Sequence, residues 1–391
     1  MSALLSRAQR NLALALVVGG TVVGIMGTDL VLPAIPFLPE ALGGDAATAQ
    51  LVLAAYTVGG CLGLLAFGAL GDRFATRTLF VGSLLAAGLV SLACAVAPDI
   101  GTLIALRALQ GAVAAGPVVF APGIVRAMFD EAGTVRALGA LGSIESLAPA
   151  LAPLLGVWLL TLGGWPVSFG LMGTVALALA AAIALLGLVP QAARRQRGSY
   201  ARLLTDPVFL RYALSQACVL GGLLVFVFGA PAVFVRALGH TLADFILMQI
   251  VGIATFIVAA NAAGRLVGRF GAERLIGFGT GLSALGAGAI LLYALAGGTN
   301  PLIVTVLFVP VNTGLGLRGP PGFFRAVVAA QGDDARGSAL VILGILAATA
   351  LGTTVVAPFI ESGLIPLATA AFALQIAAIA ALLLPRLRET A

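Results

Sequence analysis

Four ionisable side chains, Asp29, Arg107, Glu145 and Arg318, stand inside stretches of sequence that are otherwise apolar. An ionised group at the centre of a bilayer costs at least ~2.5–3.5 kcal/mol on insertion scales, so such residues mark paths for protons, ions or substrate. A carboxylate can take up and release a proton, and a neighbouring arginine sets how tightly it is held. Other chemistries find little support. No Ser/His/Asp or metal-ligand cluster surrounds the single histidine, His240, and Cys61, Cys94 and Cys218 lie scattered in apolar runs without disulfide or metal spacing. Gly314-Leu-Gly316-Leu-Arg-Gly319 spells G-x-G-x-x-G, but a dinucleotide site needs a soluble strand–turn–helix unit. This stretch lies in an apolar run, where the glycines are read as permitting helix bending or close packing. Neither an enzyme site nor a metal or organic cofactor is expected.

The elements that must carry these residues follow from the solvent of the chain. Of the 391 residues 61% are hydrophobic and 9% charged, with a mean hydropathy of +1.13. Soluble domains carry roughly 25% charged residues, so most of this chain must face lipid. There every backbone N–H and C=O needs an internal partner, which leaves helices or closed barrels. Long unbroken apolar runs such as Val81 to Ala97 and Leu171 to Val189 exclude the alternating pattern of a barrel. Breaking the chain at charges and Gly/Pro turns predicts twelve transmembrane helices, near 12–38, 48–70, 78–97, 100–126, 135–162, 165–189, 208–236, 241–264, 273–296, 301–325, 336–361 and 364–385. Arg7 and Arg10 precede the first of these, which has no clear small-residue cleavage site and reads as an uncleaved span.

Arginine supplies every basic residue, and its placement tests the span count. With the amino terminus in the cytoplasm, eighteen of the 21 arginines fall in cytoplasmic loops or termini, Arg236 alone lies opposite, and Arg107 and Arg318 lie within spans. That is the positive-inside distribution, and it accounts for the net charge of +6 without nucleic acid. The arginine-only usage and richness in Ala, Gly and Leu suggest a GC-rich bacterial genome. A multi-pass protein of a bacterial inner membrane with both termini cytoplasmic is therefore expected.

The polar stretch Gln191 to Asp206 divides the chain near its midpoint. It predicts an amino-terminal six-helix bundle over 1–190, a cytoplasmic linker over 191–206 and a carboxyl-terminal six-helix bundle over 207–391. The halves echo one another: Gly123-x-x-Arg126-Ala127 with Arg136 after Asp130 and Glu131 recurs as Gly322-x-x-Arg325-Ala326 with Arg336 after Asp333 and Asp334. Parallel repeats of this kind describe one large transporter architecture, with the solute site between the halves. At about 1.5 Å per helical residue, Asp29 and Arg107 share a depth in the outer part of the membrane, and Glu145 and Arg318 share one in the inner part. Two opposite-charge pairs are thus expected.

Four motifs then carry a family resemblance. Gly68-Ala69-Leu70-Gly71-Asp72-Arg73-Phe74-Ala75-Thr76-Arg77-Thr78-Leu79, between spans 2 and 3, resembles the G-x-L-a-D-R-x-G-R-[RK]-x-x-L loop of the major facilitator superfamily, with Ala75 and Thr76 replacing its inner Gly and Arg. Arg107-Ala-Leu-Gln110-Gly111 in span 4 resembles the R-x-x-Q-G motif of that superfamily. Gly139, Ala148, Ala152-Pro153 and Gly156-Val157 in span 5 follow the spacing of its antiporter signature, G-x8-G-x3-G-P-x2-G-G, with alanine for two glycines. Asp29-Leu-Val-Leu-Pro33 resembles a D-x-x-x-P segment of drug:proton antiporters of the bicyclomycin- and chloramphenicol-resistance type.

This resemblance implies an all-α fold of two pseudo-symmetric six-helix bundles and a monomeric secondary transporter working by alternating access. The substrate would be a hydrophobic drug or small metabolite, exported in exchange for protons, with the proton gradient as the energy source. A nutrient or metabolite symporter or facilitator is the alternative, with a non-transporting receptor behind it. Asp72, with Arg73 and Arg77, is expected to gate the cytoplasmic side, with Arg126 and Asp130 completing the network. Asp29 is expected to carry the proton with Arg107 and Gln110 beside it, and Glu145 with Arg318 forms the second candidate pair. Gly139, Ala148, Ala152, Pro153 and Gly156 are expected to let helices approach closely.

Overall fold

The structure, a computed structural model, describes residues 6–190 and 198–387, apart from the side chains at 46, 47, 149, 150, 236, 242 and 361. Among the described residues there are helices and no strands. The long helices of the amino-terminal half are α1 (Arg7–Asp29), α3 (Ala46–Leu70), α4 (Thr76–Ala95), α5 (Ile100–Met128), α6 (Glu131–Gly163) and α7 (Pro166–Leu186), with the short α2 (Leu38–Leu42) after α1. The short α8 (Tyr200–Thr205) precedes α9 (Pro207–Ala232), α10 (Leu242–Phe270), α11 (Ala272–Leu295), α12 (Pro301–Ala329), α13 (Asp334–Val356) and α14 (Leu364–Ala381). Eleven described helices are long and apolar enough to cross a membrane, and α6, bent by 48° between Glu131–Ala148 and Leu151–Gly163, makes the twelfth.

Local chemistry sets the helix ends. Ser6 and Gln9 form a capping box on α1, Asp45 accepts from Thr48 N at the start of α3, and Asp206 followed by Pro207 opens α9. Gly164 (φ 77°) separates α6 from α7, and Gly363 (φ 105°) opens α14. The first predicted span, read as one helix over 12–38, is instead broken: α1 ends at Asp29, and Pro33 and Pro36 turn the chain into a 3₁₀ segment, Leu32–Phe37. Of the predicted linker, residues 191–197 lie outside the described residues, as do Arg388 and the side chain of Arg236. Its remainder contains α8.

The packing repeats. In the amino-terminal half α5 packs on α3, α4 and α1, while α7 packs on α4 and α1. In the carboxyl-terminal half α12 packs on α10, α11 and α9, while α14 packs on α11 and α9. Helix for helix this is one six-helix plan used twice. By contacts the chain forms two compact units: unit 1 holds 1–128, 144–198 and 333–339, and unit 2 holds 129–143, 199–332 and 340–391. Each unit thus contains the opening turns of a helix whose remainder belongs to the other.

Small residues make the close helix contacts. A side chain on Gly59 or Gly63 of α3 would meet the carbonyls of Ala108 and Ala112 on α5, and one on Gly111 would meet that of Tyr56. In unit 2, Gly314 of α12 faces Gly279 and Ser283 of α11, and Gly316 lies 2.6 Å, at an added Cβ, from the Phe256 carbonyl of α10. Gly314 and Gly316 of the G-x-G-x-x-G stretch therefore serve packing. Unit 2 centres on Phe226 stacked against Phe308 at 5.2 Å, and unit 1 on Leu38, Val52, Leu103 and Phe169.

Candidate functional site

Arg107 lies on α5 with no exposure to solvent. Its Nε donates to the Val52 carbonyl of α3 at 3.2 Å, and its Nη1 donates to Gln110 Oε1 at 2.6 Å. Gln110, one helical turn on, passes the chain to Ser91 Oγ of α4 at 2.5 Å, with the Cys94 thiol 3.9 Å from Gln110 Oε1. The guanidinium lies 4.2 Å over the Tyr56 ring and 5.7 Å from that of Phe169, so two π faces offset part of its desolvation. Nη2 has no partner. The planar, five-donor guanidinium suits this arrangement, in which a carbonyl, an amide and an aromatic face are met at once.

Tyr56 extends the network toward the amino terminus. Its hydroxyl donates to the Gly24 carbonyl of α1 at 2.5 Å, and it lies within electrostatic reach of both Arg107 and Asp29. The expected Asp29–Arg107 ion pair is absent. Asp29 is the half-buried last residue of α1, where a carboxylate stands at the negative end of the helix dipole. Pro33 and Pro36 end the helix there, which sets Asp29 apart from the α5 face that depth alone suggested. Glu145 of α6 lies beside Thr21 of α1, whose hydroxyl donates to the Val18 carbonyl at 2.9 Å. Arg318 of α12 is fully buried and donates to the Ser215 carbonyl of α9, with no carboxylate partner among the described residues.

A second constellation occupies the α3–α4 loop of unit 1. Arg336, near the start of α13, grips Asp72 with both terminal nitrogens, Nη1 to Oδ1 at 2.9 Å and Nη2 to Oδ2 at 2.7 Å. Asp333 accepts from the same Nη1 at 3.0 Å, and Gly198 N donates to Asp72 Oδ2 at 3.2 Å. A Cβ at Gly198 would collide with the Asp333 carboxylate and displace it from Arg336. Burial pushes the Asp333 carboxyl above the usual carboxylate range, against the pull of Arg336. Alongside, Arg126 at the end of α5 holds Asp334 through Nε (3.1 Å) and Nη2 (2.8 and 2.6 Å). Such forked, charge-assisted bonds are the strong ones.

The other residues of the expected gate do different work. Asp130 caps α6 by accepting from Gly133 N at 2.9 Å, and does not reach Arg126. Arg77 donates to the carbonyls of Ile183 (3.1 Å) and Ala184 (2.8 Å) at the end of α7. Arg73 is exposed and makes no hydrogen bond or ion pair among the described residues. In α6, Gly139 faces the Ala260 carbonyl of α10 and Gly156 the Leu30 carbonyl at the end of α1. Ala148 and Ala152 are buried and Pro153 half-buried. Contact-making is the role the structure gives to the glycines of this stretch.

A profile of the Major Facilitator Superfamily matches residues 17–357. The chain belongs to that superfamily. Among superfamily relatives it is 32% identical to a chloramphenicol resistance protein of Pseudomonas aeruginosa over 278 residues, 68% of this chain and 64% of that protein. It is 30% identical to the uncharacterized MFS-type transporter YdgK of Bacillus subtilis over 86% of both chains. A bicyclomycin resistance protein homolog of Haemophilus influenzae is 24% identical over 72% of this chain and 73% of its own. The superfamily fold is also that of the proton:xylose symporter XylE, with a TM-score of 0.73 at 13% identity over 97% of this chain and 95% of that one. The match to the human organic anion transporter MFSD10 (TETRAN) has a TM-score of 0.69 at 17% identity over 95% and 99%. At such identities the likeness is one of fold. A superfamily member of this kind is a multi-pass membrane transporter.

Sequence reasoning missed Tyr56, Ser91, Arg336 and Asp334 as members of these sites. Only the internal repeat, which set Arg336 against Arg136 and Asp334 in the matching acidic turn, pointed toward two of them.

Proposed function

We propose that the protein exports hydrophobic drugs or small metabolites in exchange for protons, by alternating access, as a monomer in a bacterial inner membrane with both termini in the cytoplasm. The observation that carries the reading is the polar line through the apolar interior of unit 1, from Tyr56 beside Asp29 to Arg107, Gln110 and Ser91. Arg107, Gln110 and Ser91 are joined by hydrogen bonds, while Tyr56 meets Arg107 through its ring face and so conveys charge rather than a proton. Relatives named for resistance to chloramphenicol, bicyclomycin and puromycin support an exported drug as substrate.

Asp29 takes the proton in this reading, and Tyr56 couples its charge to Arg107. Glu145 is the second carboxylate available for protons or for a cationic substrate. The Asp72–Arg336 and Arg126–Asp334 pairs hold residues 333–339 against the α3–α4 loop, and their release opens that end of the protein. The energy source is the proton gradient, with no organic cofactor or metal.

Uptake of a hydrophobic cation into inverted vesicles under an imposed pH gradient tests the proposal. Wild-type protein should accumulate the compound and discharge the gradient, and Asp29→Asn should abolish coupling. Undiminished coupling removes Asp29 from the mechanism, and uptake in the opposite sense identifies a symporter. Reporter fusions within 191–206 should report a cytoplasmic location.

A further inference from the structure

Unit 2 buries a cation for which the described chain supplies no counter-charge. Arg318 is fully buried, and a guanidinium stays ionised in proteins. The ion pairs of this unit, Arg211–Glu273 and Arg325–Glu131, leave it out. The Cys218 thiol is the one titratable group that acts on it electrostatically among the described residues. Among the described residues the single hydrogen bond of Arg318 runs from Nη1 to the Ser215 carbonyl at 3.0 Å, and Nε and Nη2 have no hydrogen-bond partner. Arg107, by contrast, has two hydrogen bonds and two aromatic faces.

The surroundings of Arg318 are unfinished in the same way. Ser215 Oγ and Gln216 Oε1, both buried on α9, are also without partners. Gly322, one turn beyond Arg318, brings its backbone close to two of these groups: a Cβ there would lie 2.8 Å from Arg318 Nη2 and 2.9 Å from Gln216 Oε1, closer than a side chain can sit. Water can satisfy a hydroxyl or an amide, but it leaves the charge unbalanced, and burying an unpaired charge is among the costliest arrangements a protein can hold. An anion answers both needs. It accepts from Nε and Nη2 and from the Ser215 hydroxyl, and from the Gln216 amide once that group is turned about its last torsion.

We propose that Arg318, Ser215 and Gln216 form a binding site for a small monovalent anion such as chloride, inside the carboxyl-terminal bundle and distinct from the polar line through Arg107. The site does not depend on the transport reading, because its occupancy is read from stability.

The test is thermal unfolding of the purified full-length protein in detergent, with sodium chloride exchanged for sodium gluconate at constant ionic strength. The melting temperature should rise saturably with chloride. Ser215→Ala should move half-saturation to about tenfold more chloride, the factor expected for one hydrogen bond to a charged partner. Gly322→Ala pushes a methyl against Arg318 Nη2 and Gln216 Oε1 while keeping the charge, and should abolish the chloride response, as should Arg318→Met. If Arg318→Met does not fold, the wild type and the two milder variants still decide. Equal melting temperatures in both salts, or a chloride response that survives Gly322→Ala, overturn the proposal.

Discussion

The charged cluster of unit 1 and its counterpart in unit 2 are built on one plan and end differently. In both, an arginine at the end of a long helix pairs with an acid at the start of another: Arg126 with Asp334, and Arg325 with Glu131. In both, a second arginine follows two residues after the Asp334 position or five after Glu131. Arg336 is buried against two carboxylates, whereas Arg136 is exposed with no ion pair among the described residues. The loop explains the contrast. Gly68-Ala69-Leu70-Gly71-Asp72-Arg73-Phe74 aligns with Gly264-Arg265-Leu266-Val267-Gly268-Arg269-Phe270, which puts glycine where Asp72 stands. Arg136 still crosses Gly264 closely, and a Cβ on Gly268 would meet open space. A repeat can thus reproduce a scaffold twice while a single side chain decides which copy holds a latch.

Removing that side chain should have the largest effect. Asp72→Asn removes the carboxylate that holds both terminal nitrogens of the buried Arg336; losing one partner of a buried pair costs about 3–5 kcal/mol, and partial exposure of Asp72 reduces this to about 2–3. The corresponding shift in a two-state equilibrium is roughly thirtyfold to a hundredfold. Transport rates in proteoliposomes should fall at least tenfold while the melting temperature shows the protein folded; wild-type rates would mean the two loops do not differ in function.

Arg107→Lys comes next, because it extends the contrast between a built arginine site and a bare one. Lysine keeps the charge but cannot serve Val52, Gln110 and the Tyr56 face together, and a lost hydrogen bond to a charged group costs about 1.5–3 kcal/mol. Proton-coupled uptake should drop about tenfold or more. Recovery of full coupling with lysine would reduce Arg107 to a plain positive charge.

Gly268→Asp asks whether the missing latch can be supplied. Helix α10 should tolerate the change, and a new pair with Arg136 at an exposed site is worth up to about 1 kcal/mol. That predicts a rise of a few degrees in melting temperature and a few-fold slower turnover. A simultaneous Arg136→Gln should cancel both effects, and their persistence would show that the aspartate acts on something else.

The smallest effect is expected at Asp333. Because burial raises its pKa, the folded protein holds a proton there more tightly than the unfolded chain, so acidification through the carboxylate range favours folding at this position. Asp333→Asn should leave neutral-pH stability within about 0.5 kcal/mol and flatten that response. A loss as large as that of Asp72→Asn would make the two acids equal partners.

Much of the architecture was legible because lipid permits so few solutions. Helix breaks at Gly163–Gly164 and Ser362–Gly363 follow from glycine at positive φ, and the same residues end the helices in the structure. The site was legible only in part. Arg107 and Gln110 share a helical face, so their contact follows from spacing. Depth, in contrast, gives only one coordinate. It paired Asp29 with Arg107 and Glu145 with Arg318, while the partners chosen by the fold are a tyrosine ring, an amide and backbone carbonyls on other helices.

The amino-acid sequence by itself determined the lipid-facing helices, their number and their repetition, because apolar length and the need to satisfy the backbone are properties of each segment alone. The tertiary structure decided which arginine meets which acid. A guanidinium reaches whatever neighbouring helices place within a few ångströms, and Asp72 and Arg336 come together from positions 264 residues apart.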